Sequence, residues 1–540
     1  MVATEVASRL KQYQPSARIL LVEAGPDVSN DPDILQFSTL NFIGGKFDWG
    51  YKSTPQKGYD GRQIDVPSGR ALGGGSVING CGWFRGSRSD YDSWAEVVND
   101  QRWSYEGQLP YFKKTEKWYN DKNSDEHGRS GTMHIESPIS TNRIYPLAST
   151  VEKAWEEFHV RQLPHNDSNA GANIGFGELN ENRAQGARQI APLAYPLDGV
   201  TVLTNTLVNS IIVDASNKAT GIQLGDGTKV HADEVIVAAG AYRTPQLLML
   251  SGLGPKETLD RHDIAVKADI PDVGQNFNDH VMVYLNWKLK DPSKGFAIGS
   301  SNEIFAEPRF ATGTPLSHVA YTEVPRAALE AAIAKDEGVN GGVVDPNHHH
   351  LLKRDWALME NIVMYLAIPP VPTDGTHIST AQMALKPTSR GSVTIASADP
   401  ADAPVIDPNY FATEVDRTVW RHSLRRIAAF MAGEDTVLGR EVVAEKTPFP
   451  GFERIDAAGS SDAYLDSRVK AHGVSTFHGC GTCSMGKVVD TELRVKGVEN
   501  LRIIDASVIP IAVGAHIQAT VYALAEQAAV IIAKEKGVAI

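Results

Sequence analysis

MVATEVASRLKQYQPSARILLVEAGPD, residues 1–27, carries two periodicities in succession. Ala3, Val6, Ala7 and Leu10 fall at i, i+3, i+4 and i+7, so residues 3–11 read as an amphipathic helix. Gln14-Pro15-Ser16 breaks it, and Arg18 to Val22 is a short apolar strand run that ends in Glu23-Ala24-Gly25. Helix, turn, apolar strand and an acidic residue at the strand tip form the second half of a dinucleotide-binding βαβ unit. The first half of such a unit is an apolar strand and a G-x-G-x-x-G turn, and residues 1–27 contain neither.

The other composition signals are those of a globular chain. Its 540 residues exceed one small core, so two or more intertwined domains are expected. Hydrophobic residues make up 42% and charged residues 22%. With 52 Lys+Arg against 65 Asp+Glu the net charge is −13, and no basic cluster stands out; nucleic acid and anionic membrane are excluded as expected partners. Three cysteines (Cys81, Cys480, Cys483) are too few for a disulfide framework. No signal-peptide pattern is read at the N-terminus, and the C-terminal apolar stretch is interrupted by Glu526, so the expected compartment is the cytoplasm.

No repeat or low-complexity tract divides the chain. Residues 1–100 are Gly-rich and apolar, and 101–195 turn aromatic and polar. Residues 200–254 return to strand-like runs at Thr201-Val202-Leu203, Ile211-Ile212-Val213 and Val235-Ile236-Val237. An irregular stretch at about 290–350 ends in His348-His349-His350, and a helix is predicted from Gln518 to Lys534. This order fits an α/β nucleotide domain assembled from 1–100, 196–285 and 475–540, with 101–195 and 286–474 forming a second domain.

Three stretches carry chemistry. Gly69-Arg70-Ala71-Leu72-Gly73-Gly74-Gly75-Ser76-Val77-Ile78-Asn79-Gly80-Cys81-Gly82-Trp83 lets a backbone approach a flat or charged ligand closely, with Arg70 ahead of it as a fixed cation. A tight loop at a domain junction is the competing explanation. Gly240 to Gly254 contains Thr244-Pro245, a helix-start signal, and Ser251-Gly252, a stop. Thr476-Phe477-His478-Gly479-Cys480-Gly481-Thr482-Cys483 places a histidine before a run of small residues, and His516 follows in Val513-Gly514-Ala515-His516-Ile517-Gln518. Such a histidine suits a cavity wall better than an average isolated one. Cys480-Gly481-Thr482-Cys483 is formally C-x-x-C, but a structural role is expected there; His348-His349-His350 reads as an exposed turn, with no metal site expected.

Together the three stretches resemble the glucose–methanol–choline (GMC) flavoprotein oxidoreductases, whose two signature stretches match at 69–92 and 240–254. The resemblance continues through Val273 to His280, Ser389 to Val393, Asp402 to Tyr410 and Leu501 to Ser507. It implies an α/β FAD-binding domain of Rossmann-like, doubly wound type and an α+β substrate domain built on an antiparallel sheet. It assigns Glu23, followed by Ala24, to the adenosine ribose, where a carboxylate accepts from vicinal hydroxyls. Arg70, Gly74, Asn79, Gly80 and Gly82 match the loop along the isoalloxazine, Val208 the residue whose backbone meets adenine, and Asp505-Ala506 the diphosphate and ribityl contacts. Ile517 and Gln518 open the helix whose first amides aim at the flavin. His478 and His516 match the active-site pair, His478 as base and His516 as the group that binds and orients the substrate hydroxyl.

The implied activity is oxidation of a small-molecule alcohol by hydride transfer to FAD, with oxygen or another acceptor restoring the cofactor. Three readings of the opening stretch stand side by side. The first is an ordinary flavoenzyme whose strand and Gly-rich turn precede residue 1. The second is a form deficient in FAD that is inactive or a scaffold. The third is a lyase or cyclase on the same fold.

Overall fold

The computed structural model describes residues 1–35, 43–122, 125–339, 344–345, 349–444 and 455–540. The opening stretch folds as α1 (Val2–Tyr13) and β1 (Leu20–Val22). Val2, Val6 and Leu10 of α1 enter the main apolar core, one stripe of an amphipathic helix turned inward. Their partner is the C-terminal helix, which begins at Gln518 and contributes Val521, Leu524, Ala525 and Ala528 to the same core.

β1 pairs in parallel with the strand Thr201–Leu203, Leu20 opposite Thr201 and Val22 opposite Leu203. A second parallel pair joins Val235–Val237 to Leu501–Ile503. A third, short parallel pair joins Leu253–Gly254 to Ala268–Asp269, and residues of the first two pairs line one cavity. Beside them an antiparallel meander runs through Val208–Val213, Ala219–Leu224 and Lys229–His231.

After Val235–Val237 comes α2 (Gly240–Leu250). Thr244-Pro245 had predicted the helix start, but α2 begins four residues earlier and holds Pro245 inside. A proline there removes the N–H that would reach the carbonyl of Ala241. The hydroxyl of Thr482 donates to that carbonyl instead, at 2.7 Å, so the helix continues without an orphaned acceptor. The stop is as read: Ser251 caps α2 and its Oγ donates to the Leu247 carbonyl at 2.6 Å. The last helix, α3 (Gln518–Glu535), matches its expected span to within a residue.

The second layer is a six-stranded antiparallel sheet. Its order is Val474–Ser475, Val281–Lys288, His377–Ala384, Met359–Met364, His318–Thr322 and Gly175–Glu178. Alternation along the strands sends Val281, Val283, Leu285 and Trp287 into one core and Met282 into the other. Met359 and Val363 likewise separate from Ile362 and Met364. One face of the sheet thus builds the substrate domain's own core while the other looks toward the α/β part. The expected boundaries at 285 and 475 fall inside Val281–Lys288 and Val474–Ser475, both strands of this sheet. Composition shifts do not mark these crossings because the strands are apolar on both sides of them.

Among the described residues no helix is long and apolar enough to cross a membrane, and no cluster of His, Cys, Asp and Glu could hold a metal ion. Cys480 and Cys483 are buried thiols, and burial pushes Cys480 up to about 12. His348 lies outside the described residues.

The α1–α3 contact buries charge. Arg9 donates to Glu526 at 2.7 Å, and Lys114 reaches the same carboxylate at 3.0 Å. Glu5 is buried beside them, and its carboxyl is raised well above the usual range, chiefly by burial and then by the Glu526 charge. A raised carboxyl pKa stabilises the fold while the group is protonated, and that contribution is lost as pH rises through the folded-state value. Glu5→Gln is therefore expected to raise Tm at about pH 8 and leave it unchanged at about pH 4, near the unfolded glutamate pKa. Thermal unfolding at the two pH values checks this.

Candidate active site

The segment 474–482 joins the two halves of the molecule. Its start pairs with the sheet, Val281 opposite Ser475 and Met282 opposite Val474. Beyond that, Thr476 N donates to the His280 carbonyl at 3.0 Å, and Cys480 and Asn278 exchange backbone hydrogen bonds at 2.9 and 3.0 Å. Between these ties Phe477 takes φ of +66°, the left-handed region that a bulky residue avoids. The bend is held by the buried carboxylate of Asp279, which accepts from His478 N at 2.9 Å and from the hydroxyls of Ser475 and Tyr410. Gly479 is required by close approach: a Cβ there would lie 2.8 Å from the Tyr242 hydroxyl and 2.9 Å from the Phe277 ring.

The bend turns the His478 ring into the cavity. Its Nδ1 lies 3.0 Å from Thr476 Oγ1 and 3.0 Å from His280 Nδ1, so Nε2 is the nitrogen left for a ligand. Burial holds His478 well below the ordinary imidazole range, with His516 and His280 adding to the effect. His280 itself is pushed down to about 3, first by burial. Both rings are neutral at physiological pH.

His516 sits with its ring centroid 4.8 Å from that of His478, nearly perpendicular to it, and 4.8 Å from the Phe84 ring. Its Nε2 lies 2.9 Å from a carboxylate oxygen of Glu360, a fully buried residue on Met359–Met364. That contact occupies Nε2 and leaves Nδ1 as the nitrogen free to meet a ligand.

From this pair one cavity of about 1800 Å³ extends through the α/β part. Glu23 and Ala24 line it at the tip of β1, and Glu23 accepts from Gly25 N at 2.8 Å; burial raises its carboxyl, opposed by that bond. Gly74, Gly80, Gly82 and Val208 also line it. So do Asn79 and Gln518, which bond each other through their side-chain amides. Arg188 donates to the Asn79 carbonyl at 2.6 Å and to its Oδ1 at 2.7 Å, which fixes the side chain that Gln518 meets. Gln518 also donates to the Gly82 carbonyl at 3.1 Å. Asp505, Ala506 and Ile517 complete the wall, with Asp505 accepting from Gly240 N at 2.9 Å and Thr244 Oγ1 at 2.6 Å. Arg70 is placed differently. Its guanidinium is exposed, stacks 4.7 Å from the Trp49 ring and lies outside the lining, whereas Gly69 and Leu72 to Gly75 belong to it.

These residues fit an FAD. The cavity exceeds the roughly 300–1,000 Å³ of a drug-sized ligand site. It offers a carboxylate at a strand tip, a glycine-rich wall and the N-terminus of an 18-residue helix. A Cβ built on Gly80 would meet no atom within 4 Å, so the bare backbone there faces open cavity.

Known proteins share the fold and cofactor that this cavity fits. Family models described as GMC oxidoreductase match residues 17–282 and 387–525. The chain belongs to the GMC oxidoreductase family. It is 39% identical to the GMC-type oxidoreductase acuG of Aspergillus aculeatus, over 98% of this chain and 96% of that protein. It is 30% identical to patulin synthase of Aspergillus clavatus, covering 97% of this chain and 89% of that one. A formate oxidase of Aspergillus oryzae superposes with a TM-score of 0.87 at 26% identity, covering all of this chain and 97% of that one. FAD is the cofactor and the protein is an FAD-dependent oxidoreductase.

Sequence reasoning missed Asp279, His280 and Glu360 as site residues. Glu360 had a signal: it is the lone acid in the apolar run Met359-Glu360-Asn361-Ile362-Val363-Met364, and an acid is rarely buried without a partner, so a partner is implied. Asp279-His280 carried no local signal, because its importance lies in what it touches.

Gly80 gives a test of the cofactor wall. Gly80→Leu is expected to fill the cavity without disturbing the fold, so flavin content after purification should fall at least about tenfold while the apoprotein's Tm and circular dichroism stay unchanged. Full flavin occupancy in the variant would place the cofactor elsewhere.

Proposed function

We propose that this enzyme oxidises the CH–OH of a small-molecule alcohol to a carbonyl, with His478 as the base. The observation that carries this reading is the pair of perpendicular imidazoles, 4.8 Å apart, at the end of a cavity whose other end is built for a nucleotide. Bound FAD supplies the acceptor for the hydride that leaves the substrate carbon. The chain's own part is proton handling. His478 Nε2 takes the hydroxyl proton, and His516 holds the substrate oxygen through Nδ1. An N–H at Nδ1 donates to that oxygen, while Nε2 stays held against Glu360 behind it.

Neutral His478 is competent to accept a proton through the Nε2 that faces the cavity. Glu23, Gly74, Asn79, Gly80, Gly82, Val208, Asp505, Ala506, Ile517 and Gln518 would hold the cofactor from the cavity wall. Oxygen or another acceptor then restores the cofactor. Likeness along nearly the whole chain to a patulin synthase supports a role in secondary metabolism.

His478→Ala is expected to lower the rate of anaerobic flavin bleaching by alcohol about 10²–10⁴-fold with flavin content retained. Product formed without bleaching would mean a lyase or cyclase. The pH dependence follows from the direction of the His478 shift. A base whose pKa is lowered stays unprotonated on acidification, so kcat/KM should remain flat from about pH 8 through the ordinary imidazole value near 6.5. An acid limb at or above that value would identify a different base.

A further inference from the structure

The cavity divides chemically. Every charged lining residue apart from the histidines belongs to segments 18–23, 233–243, 505 or 536, all in the α/β part. The wall contributed by the antiparallel sheet is different. Met282, Tyr284, Ile362, Met364 and Leu366 line it from the sheet side, with Leu316 from the loop that leads into the strand His318–Thr322. Among the described lining residues of this half there is no acid, lysine or arginine.

The sheet register explains why these side chains share one wall. Tyr284 is opposite Ala381, and Ala381 is opposite Ile362. Met282 is opposite Met383 on the same face. Among the described residues of the sheet strands Glu360 is the one carboxylate on this face, one alternation before Ile362, but it stands behind His516 and outside the cavity lining. Tyr284 offers the only polar atom of the five sheet-side residues. Burial alone pushes its hydroxyl up to about 12, with no charged neighbour contributing, which is the electrostatic signature of a neutral wall. Phe84, against His516, adds an aromatic face next to the reacting end.

Such a wall gives a charged substrate no counter-ion and strips its water. An apolar body, by contrast, gains from leaving solvent. We propose that the substrate is an uncharged alcohol with an apolar, ring-sized body. Its hydroxyl meets His478 and His516, and its body lies against Met282, Ile362 and Met364. This rests on the function proposed above and narrows it: cationic amino alcohols and anionic or phosphorylated alcohols are excluded.

The test uses the FAD-loaded enzyme and two alcohols of matched shape, 4-tert-butylbenzyl alcohol and 4-(trimethylammonio)benzyl alcohol. Anaerobic flavin bleaching should give a kcat/KM at least about 10²-fold higher for the neutral member, and the neutral member alone should raise Tm. A cation turned over within threefold of its neutral twin overturns the inference while leaving alcohol oxidation intact. If neither alcohol bleaches the flavin, the proposed oxidation fails, and the Tm comparison still decides the substrate class: a shift for the cation equal to that for the neutral member counts against it. Met364→Glu is expected to move the ratio toward the cation at least about tenfold, with flavin content unchanged. An unmoved ratio in a folded, flavin-loaded variant would show that the substrate body lies elsewhere.

Discussion

The buried carboxylate of Asp279 is the point on which the active site hangs. It sits at the end of a sheet strand and accepts from the backbone of His478 and the hydroxyls of Ser475 and Tyr410. Burial raises its carboxyl, while those bonds oppose the rise. Three donors around one carboxylate hold the strained turn at Phe477, and the turn decides where the His478 ring points. Without that anchor the backbone at Phe477 would relax toward ordinary φ, and the base would swing away from the cavity.

The same segment then ties the sheet to the α/β part. Thr482 completes α2 by bonding the carbonyl that Pro245 leaves bare, and Cys483 N donates to the Ser507 carbonyl at 2.8 Å. Asp505, two residues before that acceptor, bonds Gly240 and Thr244 at the start of α2. Nucleotide wall and catalytic wall are thus held by one continuous set of polar contacts. The spacing between the nucleotide wall and the base is set by covalent chain and short hydrogen bonds, and chemistry that requires contact geometry needs this kind of rigidity.

Around that frame the cavity separates two kinds of recognition. The α/β half carries carboxylates, bare glycine backbone and a helix N-terminus, groups that meet a charged and hydroxylated cofactor. The sheet half carries thioethers, branched aliphatics and one phenol. The two histidines stand at the seam, each with one nitrogen occupied by protein and the other turned inward. His280 and Thr476 engage one ring and Glu360 the other, so the pair differs in electrostatic setting although both are imidazoles. That asymmetry suits one ring to accept a proton and the other to steady an oxygen.

Much of this was legible in the chain. The periodicity of residues 3–11, the apolar runs at 18–22, 201–203 and 235–237, the stop at Ser251-Gly252 and the final helix all follow from residues close in sequence, and so they could be read there. His478 and His516 stood out because small residues surround them, and their chemistry follows from residue type. The start of α2 was misread because the compensation for Pro245 comes from Thr482, far away along the chain. Arg70 was placed on the ligand by its position before a glycine run, but Trp49 captures its guanidinium. What the sequence by itself determined was half a nucleotide unit from local pattern, and, through the resemblance its motifs carry, the class of fold, the cofactor and the two imidazoles. Only the tertiary structure decided which nitrogen of each imidazole is free. The partners that settle it, His280 and Glu360, lie 198 and 156 positions away, and only the packed sheet brings them within hydrogen-bond reach.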